Sequence, residues 1–306
     1  MKRGINIGDH LELDFKKDVP FVNPIQDWYY DTIKDLGFDH VRLPVKWSWW
    51  TDDENNFKID ETFFCEVEKT VKKLLDKGLE VVLNVHHFRE AMDEPRKYSG
   101  KLFAIWEQVA PRFKDYSDKL IFEVMNEPTW RTTPEEWNEV QEEALAVIRK
   151  SNPTRRVMVC GIDYTGLVAL DNLKLPEDDN LIATFHFYDP FDFTHQGAPW
   201  SETMKDSRGV HWYGTEDDKE FIMARFIAHA KNFQRRNNNI EMNLGEFGSF
   251  ARYNEMNEVA DWTKCVRETA EKLGYSWTYW EFNRNFGIYT FDGQPKQDLI
   301  DALLKD

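Results

Sequence analysis

The run Leu79-Glu80-Val81-Val82-Leu83-Asn84-Val85-His86-His87 decides the architecture. Its apolar side chains fall on successive positions instead of alternate ones, as in a parallel strand covered on both faces. The segment before it carries Phe63, Phe64, Val67, Val71, Leu74 and Leu75 at helical spacing, with Asp60 to open the helix and Gly78 to end it. Outward from this unit the same alternation recurs. Strands are predicted over 3–8, 39–45, 79–86, 119–126, 155–160, 181–187, 240–246 and 275–281. Asn23-Pro24 is expected to open a helix that Gly37 closes, Thr133-Pro134-Glu135-Glu136 reads as a capping box, and 219–235 and 255–273 carry further helices. Eight strands alternating with helices predict the α/β class and a single (β/α)8 TIM barrel over residues 1–306, with no linker or accessory module. An open doubly wound sheet would bring GxGxxG or GxxxxGK[ST] after an early strand, and neither occurs.

Composition narrows the function. A formal charge of −16 argues against nucleic acid, because a phosphate backbone calls for clustered Lys and Arg. No long uncharged apolar run is present, so no membrane span is expected. Met1-Lys2-Arg3 leads straight into Gly4-Ile5-Asn6-Ile7-Gly8, so the expected location is the cytoplasm, or secretion if a signal has been removed. Cys65, Cys160 and Cys265 are isolated and read as thiols, neither a disulfide framework nor a metal motif. A monomer without cofactor is expected. The 12 tryptophans serve either core packing or stacking on the flat apolar faces of sugars.

Strand ends separate these readings, because a barrel of this kind places its chemistry at the C-terminal rim. The predicted strands end at Arg42, at His86 and His87, at Asn126 and Glu127, at His186 and Tyr188, at Glu246, and at Trp280 and Glu281. Two of the runs, Ile121-Phe122-Glu123-Val124-Met125-Asn126-Glu127-Pro128 and Ile240-Glu241-Met242-Asn243-Leu244-Gly245-Glu246-Phe247-Gly248, each deliver a glutamate. Paired carboxylates on one scaffold are the minimum kit for breaking a glycosidic bond. Strand alternation puts Glu123 on the face of Glu127, where it reads as a structural partner for Arg42.

At these residues the chain resembles glycoside hydrolase family 5, the retaining cellulases and mannanases. The matching pieces run in order: Gly4-Ile5-Asn6-Ile7-Gly8, Val41-Arg42-Leu43-Pro44, Asn84-Val85-His86-His87, Asn126-Glu127-Pro128, His186-Phe187-Tyr188, Leu244-Gly245-Glu246-Phe247-Gly248 and Trp277-Thr278-Tyr279-Trp280-Glu281-Phe282. The segment Phe191-Asp192-Phe193-Thr194-His195-Gln196-Gly197-Ala198-Pro199-Trp200 resembles a bacterial branch of endoglucanases, some of which accept mannan. The resemblance implies an endo-β-1,4-glucanase acting on β-glucan or glucomannan, with Glu127 as acid/base and Glu246 as nucleophile. It implies that Asn126 holds the sugar 2-hydroxyl, that Arg42 and Tyr188 orient Glu246 and keep it ionised, that His86 and His186 line the cleavage subsite, and that Trp280 is the sugar floor. His87 reads as a supporting group, and His195 and Trp200 as the wall of a more distant subsite. A cation beside Glu246 is expected to lower its pKa and a neighbouring anion to raise that of Glu127. Departures from the family are Asp9-His10 after Gly8, and Phe88 where tyrosine is frequent; both positions are expected near the cleft.

Other readings stand beside this one. A β-mannanase or a dual glucanase/mannanase differs only in how the site meets the substituents at C2. A non-catalytic carbohydrate-binding barrel would not need both glutamates. A phosphate-binding barrel is disfavoured by a carboxylate at Glu246. A metal site of His86, His87, Glu127 and Glu246 lacks compact ligand spacing. Trp28, Trp106, Trp137 and Trp262 are expected in the core, while Trp47, Trp49 and Trp50 fit core and cleft equally.

Overall fold

The computed structural model describes residues 1–13 and 23–305. Eight parallel strands close into a barrel. They are β1 (Arg3–Asn6), β2 (His40–Leu43), β3 (Glu80–Asn84), β4 (Leu120–Glu123), β5 (Val157–Cys160), β6 (Leu181–His186), β7 (Glu241–Glu246) and β8 (Ser276–Tyr279). Spatial order follows chain order, and β8 returns to β1 in the register Arg3↔Trp277, Gly4↔Thr278, Ile5↔Tyr279. The barrel expected from the alternation of strands and helices is therefore the one that forms. One return departs from it: between β5 and β6 the chain makes a 3-10 segment, Leu167–Asn172, in place of an α-helix.

Local chemistry explains most boundaries. The helix Glu61–Asp76 opens with the Asp60 carboxylate accepting the Phe63 N–H at 2.9 Å, and Gly78, at φ +79, supplies the left-handed turn behind it. Thr133 accepts the Glu136 N–H at 3.2 Å, but Glu136 turns its carboxylate to the Arg96 N–H, so only half of the predicted capping box forms. A reciprocal box is made instead by Thr215 and Asp218 at the helix Glu216–Phe226. That helix runs through one wide π turn, Ile227–Lys231, into Asn232–Arg236, over the stretch predicted as a single helix. Asn23-Pro24 does not open the first helix, which begins at Asp27; the Asn23 side chain donates to the Asp9 carbonyl instead.

The barrel interior is layered. Val82, Ile121, Met158 and Ile182 form an apolar plug. Above it lie the buried polar side chains of Asn6, Arg42, Asn84, Glu123 and Asn243. Gly4 is glycine because the His40 ring fills the space a side chain would need: a Cβ there would lie 2.1 Å from Nε2. The outer shell is aromatic. Trp106, Trp137 and Trp262 are fully buried, and their indole N–H groups donate to the carbonyls of Val124 (3.0 Å), Cys160 (2.8 Å) and Asp189 (3.0 Å). These core assignments hold, but that of Trp28 does not. Trp28 is 39% exposed, lying on the outside of Tyr29, Phe282 and Tyr289.

The ladders stop earlier than the apolar runs predict, at Asn84 in β3 and Glu123 in β4. Beyond them single hydrogen bonds carry the chain across the rim, His86 N–H to the Val45 carbonyl (2.8 Å) and Asn126 N–H to the Val85 carbonyl (2.9 Å). His87 (φ 47°) and Glu127 (φ 49°) then adopt left-handed backbone, which breaks the ladder and re-aims the side chains.

Trp106→Ala should lower the unfolding free energy by about 3–5 kcal/mol, the cost of an aromatic cavity in a packed shell. Urea denaturation checks this; a loss below about 1 kcal/mol would mean that the shell collapses into the gap.

Candidate active site

Arg42 projects from β2 into the polar layer and uses every N–H it has. Nε and Nη2 donate to the two oxygens of Glu123, each at 2.7 Å. Nη1 donates to Glu246 Oε1 at 2.7 Å and to Asn6 Oδ1 at 3.0 Å, and Nη2 also donates to Asn126 Oδ1 at 2.7 Å. Arg42 thus pairs with Glu123 and with Glu246, so both expected partnerships exist together. Burial opposes the guanidinium charge, and the two carboxylates more than restore it.

Glu246 ends β7. Its second oxygen accepts the Tyr188 hydroxyl at 2.9 Å. Glu127 sits across the cleft, with Oε1 2.8 Å from His186 Nδ1. That nitrogen is also 3.6 Å from Glu246 Oε2. One ligand-type atom from each of Glu127, His186 and Glu246 falls within a 4.8 Å span. This trio differs from the metal set weighed from sequence, and its atoms are already engaged by one another, by Arg42 and by Tyr188.

Burial dominates the titration of both glutamates. It pushes Glu127 up to about 7, with Arg42 opposing and Glu123 adding to the rise. Burial also raises Glu246, against the pull of His186, Arg42 and the Tyr188 hydroxyl. Arg42 does pull the Glu246 pKa down as expected, but burial, with Glu127 adding to it, outweighs that pull and the net shift is upward. The rise at Glu127 has the expected sign, but its main cause is burial. His186 is pushed down to about 4 by burial, so its ring is neutral at pH 7 and its Nδ1–H is available to an ionised Glu127.

The remaining predicted residues fall around this centre. Asn126, fixed at Oδ1 by Arg42, keeps a buried Nδ2 that faces Glu127 without a bond of hydrogen-bonding geometry. The His86 ring lies parallel to Trp280, with centroids 5.7 Å apart and 8° between planes, and its Nδ1 is 3.1 Å from Asn84 Nδ2. His87 packs edge-on to His86, with Nδ1 3.4 Å from the Glu12 carbonyl. His195 sits in the wall beside Tyr188, stacked on Phe191 at 4.0 Å, with Nδ1 2.9 Å from the Thr194 hydroxyl. Trp200 is 56% exposed and stands on Phe250 and Phe286. Trp47 and Trp50 go to the core, while Trp49 reaches the surface with Lys46 5.3 Å from its ring. Phe88 is buried against Tyr98 and does not line the cleft. Asp9 does lie at the rim, in left-handed backbone (φ 59°), and its N–H is taken by the Glu12 carboxylate.

Sequence reasoning passed over several groups. Asn6, inside the quoted Gly-Ile-Asn-Ile-Gly, donates to the Gly245 carbonyl at 3.1 Å and so ties β1 to the strand that bears Glu246. Its inward position in an apolar strand was the available signal. Thr165 lies in an irregular loop where no pattern marks it, yet its hydroxyl accepts the Glu127 N–H at 3.2 Å.

Comparison with known proteins identifies the family. The family model described as Cellulase (glycosyl hydrolase family 5) matches residues 14–286. Endoglucanase H of Acetivibrio thermocellus is 33% identical over 99% of this chain, which spans 33% of that protein's length. Cellulose synthase subunit Z (CcsZ) from Clostridioides difficile is 41% identical, with a TM-score of 0.93 and 100% of each chain covered. Thermotoga maritima Cel5A, solved with cellobiose and with mannotriose, is 38% identical, with a TM-score of 0.92 over 99% of this chain and 97% of that one.

A carboxyl with a raised folded-state pKa destabilises the protein where the unfolded chain is ionised. Between pH 4.5 and about 7 the native Glu127 keeps a proton that the unfolded chain has lost, so stability falls as pH rises through that window. Glu127→Gln should therefore be more stable than the parent at pH 8 by roughly 1–3 kcal/mol and about equal to it below pH 4.5. Urea midpoints at the two pH values check this; an equal difference at both would sink the electrostatic account.

Proposed function

The chain belongs to glycosyl hydrolase family 5, the cellulase family, and we propose that it cleaves β-1,4-linked glucan within the chain, retaining configuration at the anomeric carbon. The observation that carries the reading is the meeting of Glu127, His186 and Glu246 within 4.8 Å, with Arg42 and Tyr188 holding Glu246. Retaining pairs stand about 5–5.5 Å apart, whereas inverting pairs leave roughly 6.5–9.5 Å for an interposed water.

In the first step Glu246 attacks C1 and forms an ester while the bond from C1 to the glycosidic oxygen breaks. The Glu127 proton passes to that oxygen. In the second step Glu127, now a carboxylate, takes a proton from water, whose oxygen displaces Glu246 from C1. A carboxyl titrating at about 7 is suited to both roles. Asn126 Nδ2 is the donor for the 2-hydroxyl, His86 and His186 line the cleavage subsite, and Trp280 is the sugar floor. His87 supports His86, and Trp200 with His195 forms the wall of an outer subsite. The substrate is a β-glucan or a glucomannan. A purely carbohydrate-binding barrel would gain nothing from a pair of carboxylates held close together, one of them buried, at a cost in stability.

Reducing-end release should be measured on carboxymethyl-cellulose, mixed-linkage β-glucan, glucomannan and pure mannan, with the anomer formed first followed by proton NMR. The glucans should be cut to give the β-anomer. Glu246→Gln should lower kcat by at least about 10³-fold, and Glu127→Gln should lower it by about 10²–10⁴-fold on unactivated glucan. First formation of the α-anomer would refute the double displacement. Cleavage of mannan alone would replace the glucanase by the mannanase, and no release at all from folded protein would leave the binding barrel.

A further inference from the structure

After β5 the chain enters a turn in which three successive non-glycine residues, Asp163 (φ 55°), Tyr164 (φ 58°) and Thr165 (φ 57°), are all left-handed. Such a conformation costs free energy at each residue and persists only where its surroundings hold it. The surroundings here are Glu127 and His186, whose side chains are hydrogen-bonded to each other. Tyr164 N–H donates to the Pro128 carbonyl at 2.9 Å, next to Glu127. The Thr165 hydroxyl accepts the Glu127 N–H at 3.2 Å, while the Thr165 carbonyl accepts the His186 N–H at 2.8 Å. The Cys160 thiol, which lies beside the same hydroxyl, donates to the Met125 carbonyl at 3.6 Å. Thr165 is 1% exposed, so solvent does not substitute for it.

Glu127 needs this partner. Its own left-handed backbone has taken it out of the ladder, and its N–H finds no backbone carbonyl among the described residues. A buried N–H without an acceptor is unfavourable, and the chain would relieve it by rotating at Glu127. That rotation would swing the carboxyl away from His186.

We propose that Thr165 is a positioning residue for proton transfer: one residue holds the backbones of Glu127 and His186 together, its hydroxyl on the first and its carbonyl on the second. This rests on the assignment of Glu127 as acid/base made above. Threonine suits the task because its hydroxyl reaches the Glu127 N–H from a buried position.

The test separates proton transfer from general loosening. Thr165→Val keeps the shape and removes the acceptor; Thr165→Ala serves where valine does not fold, and Thr165→Ser restores the hydroxyl. Each is assayed by kcat/KM, which reports formation of the glycosyl-enzyme, on cellotetraose and on 2,4-dinitrophenyl β-cellobioside. The sugar alcohol must be protonated to leave, and dinitrophenolate leaves without help. Thr165→Val should lose about 10–50-fold on cellotetraose and less than about 3-fold on the aryl cellobioside, and should move the alkaline limb of the cellotetraose pH profile. Thr165→Ser should return to within about 3-fold of the parent on both.

Equal losses on the two substrates, or no loss with the hydroxyl removed, would overturn the proposal. Glu127→Gln runs alongside as the control. If it discriminates between leaving groups and Thr165→Val does not, Thr165 alone is misassigned. If Glu127→Gln does not discriminate, the acid/base assignment fails first.

Discussion

The polar half of this barrel depends on one buried cation. The five N–H groups of Arg42 are divided among Glu123, Glu246, Asn6 and Asn126, which come from β4, β7, β1 and the rim beyond β4. A guanidinium is the side chain that can do this, because its planar fork presents five donors in fixed directions; an ammonium has three on a flexible stem. Without the cation, Glu123 and Glu246 would be two buried anions in an apolar shell, each costing several kcal/mol. With it, carboxylates from strands three apart around the barrel, β4 and β7, are drawn onto one centre. The second oxygen of Glu246 then faces Tyr188 and the cleft, and Asn126 is turned so that its amide nitrogen faces Glu127.

Burial, more than any partner, keeps Arg42 from making Glu246 a strongly acidic group. Glu123 takes two of the guanidinium's bonds and lies deeper than Glu246. The cation is therefore already matched before Glu246 is counted, and Glu246 enters as the second anion around one positive charge. Tyr188 and the nearby His186 soften this without reversing it. Stability is given up at the centre, and the apolar plug below and the tryptophan shell outside offset the loss. Trp106 and Trp137 contribute twice, by burying indole rings and by donating to carbonyls just beyond β4 and at the end of β5.

The sequence made the barrel and its two carboxylates legible because both follow simple periods. Successive apolar residues mark strands buried on two faces, helical stripes separate them, and polar residues at the ends of such runs must face the rim. Arg42, Glu127, Glu246, His186 and Tyr188 were found in this way, and they do meet. What was hidden depends on contacts between distant segments. Glu136 leaves its predicted cap because the Arg96 backbone lies nearby, and Asn23 serves the Asp9 carbonyl instead of a helix. Trp28 follows a helical stripe but lies at the edge of the aromatic layer, which periodicity alone does not locate. The net titration of Glu246 was hidden for a related reason: the sequence places a cation beside it but does not show how deeply the fold buries the carboxyl. Thr165 was invisible because left-handed threonine leaves no mark on a propensity scale.

Charge bookkeeping at the centre links the fold to the proposed chemistry. With Glu127 protonated and His186 neutral, Arg42 faces Glu123 and Glu246, and the buried site carries one net negative charge. In the proposed double displacement Glu246 becomes an ester and loses its charge, while Glu127 gives up its proton and becomes the anion. The net charge of the site is unchanged across the step, and so is its main desolvation cost. Glu127 then stands next to an ester instead of a carboxylate, which lowers its affinity for a proton just when it must act as a base towards water and not as an acid. Glu123 remains a constant anion throughout and keeps Arg42 in place after Glu246 has been neutralised. A carboxylate that takes no part in bond breaking is therefore what lets the guanidinium stay where it is when its catalytic partner ceases to be charged.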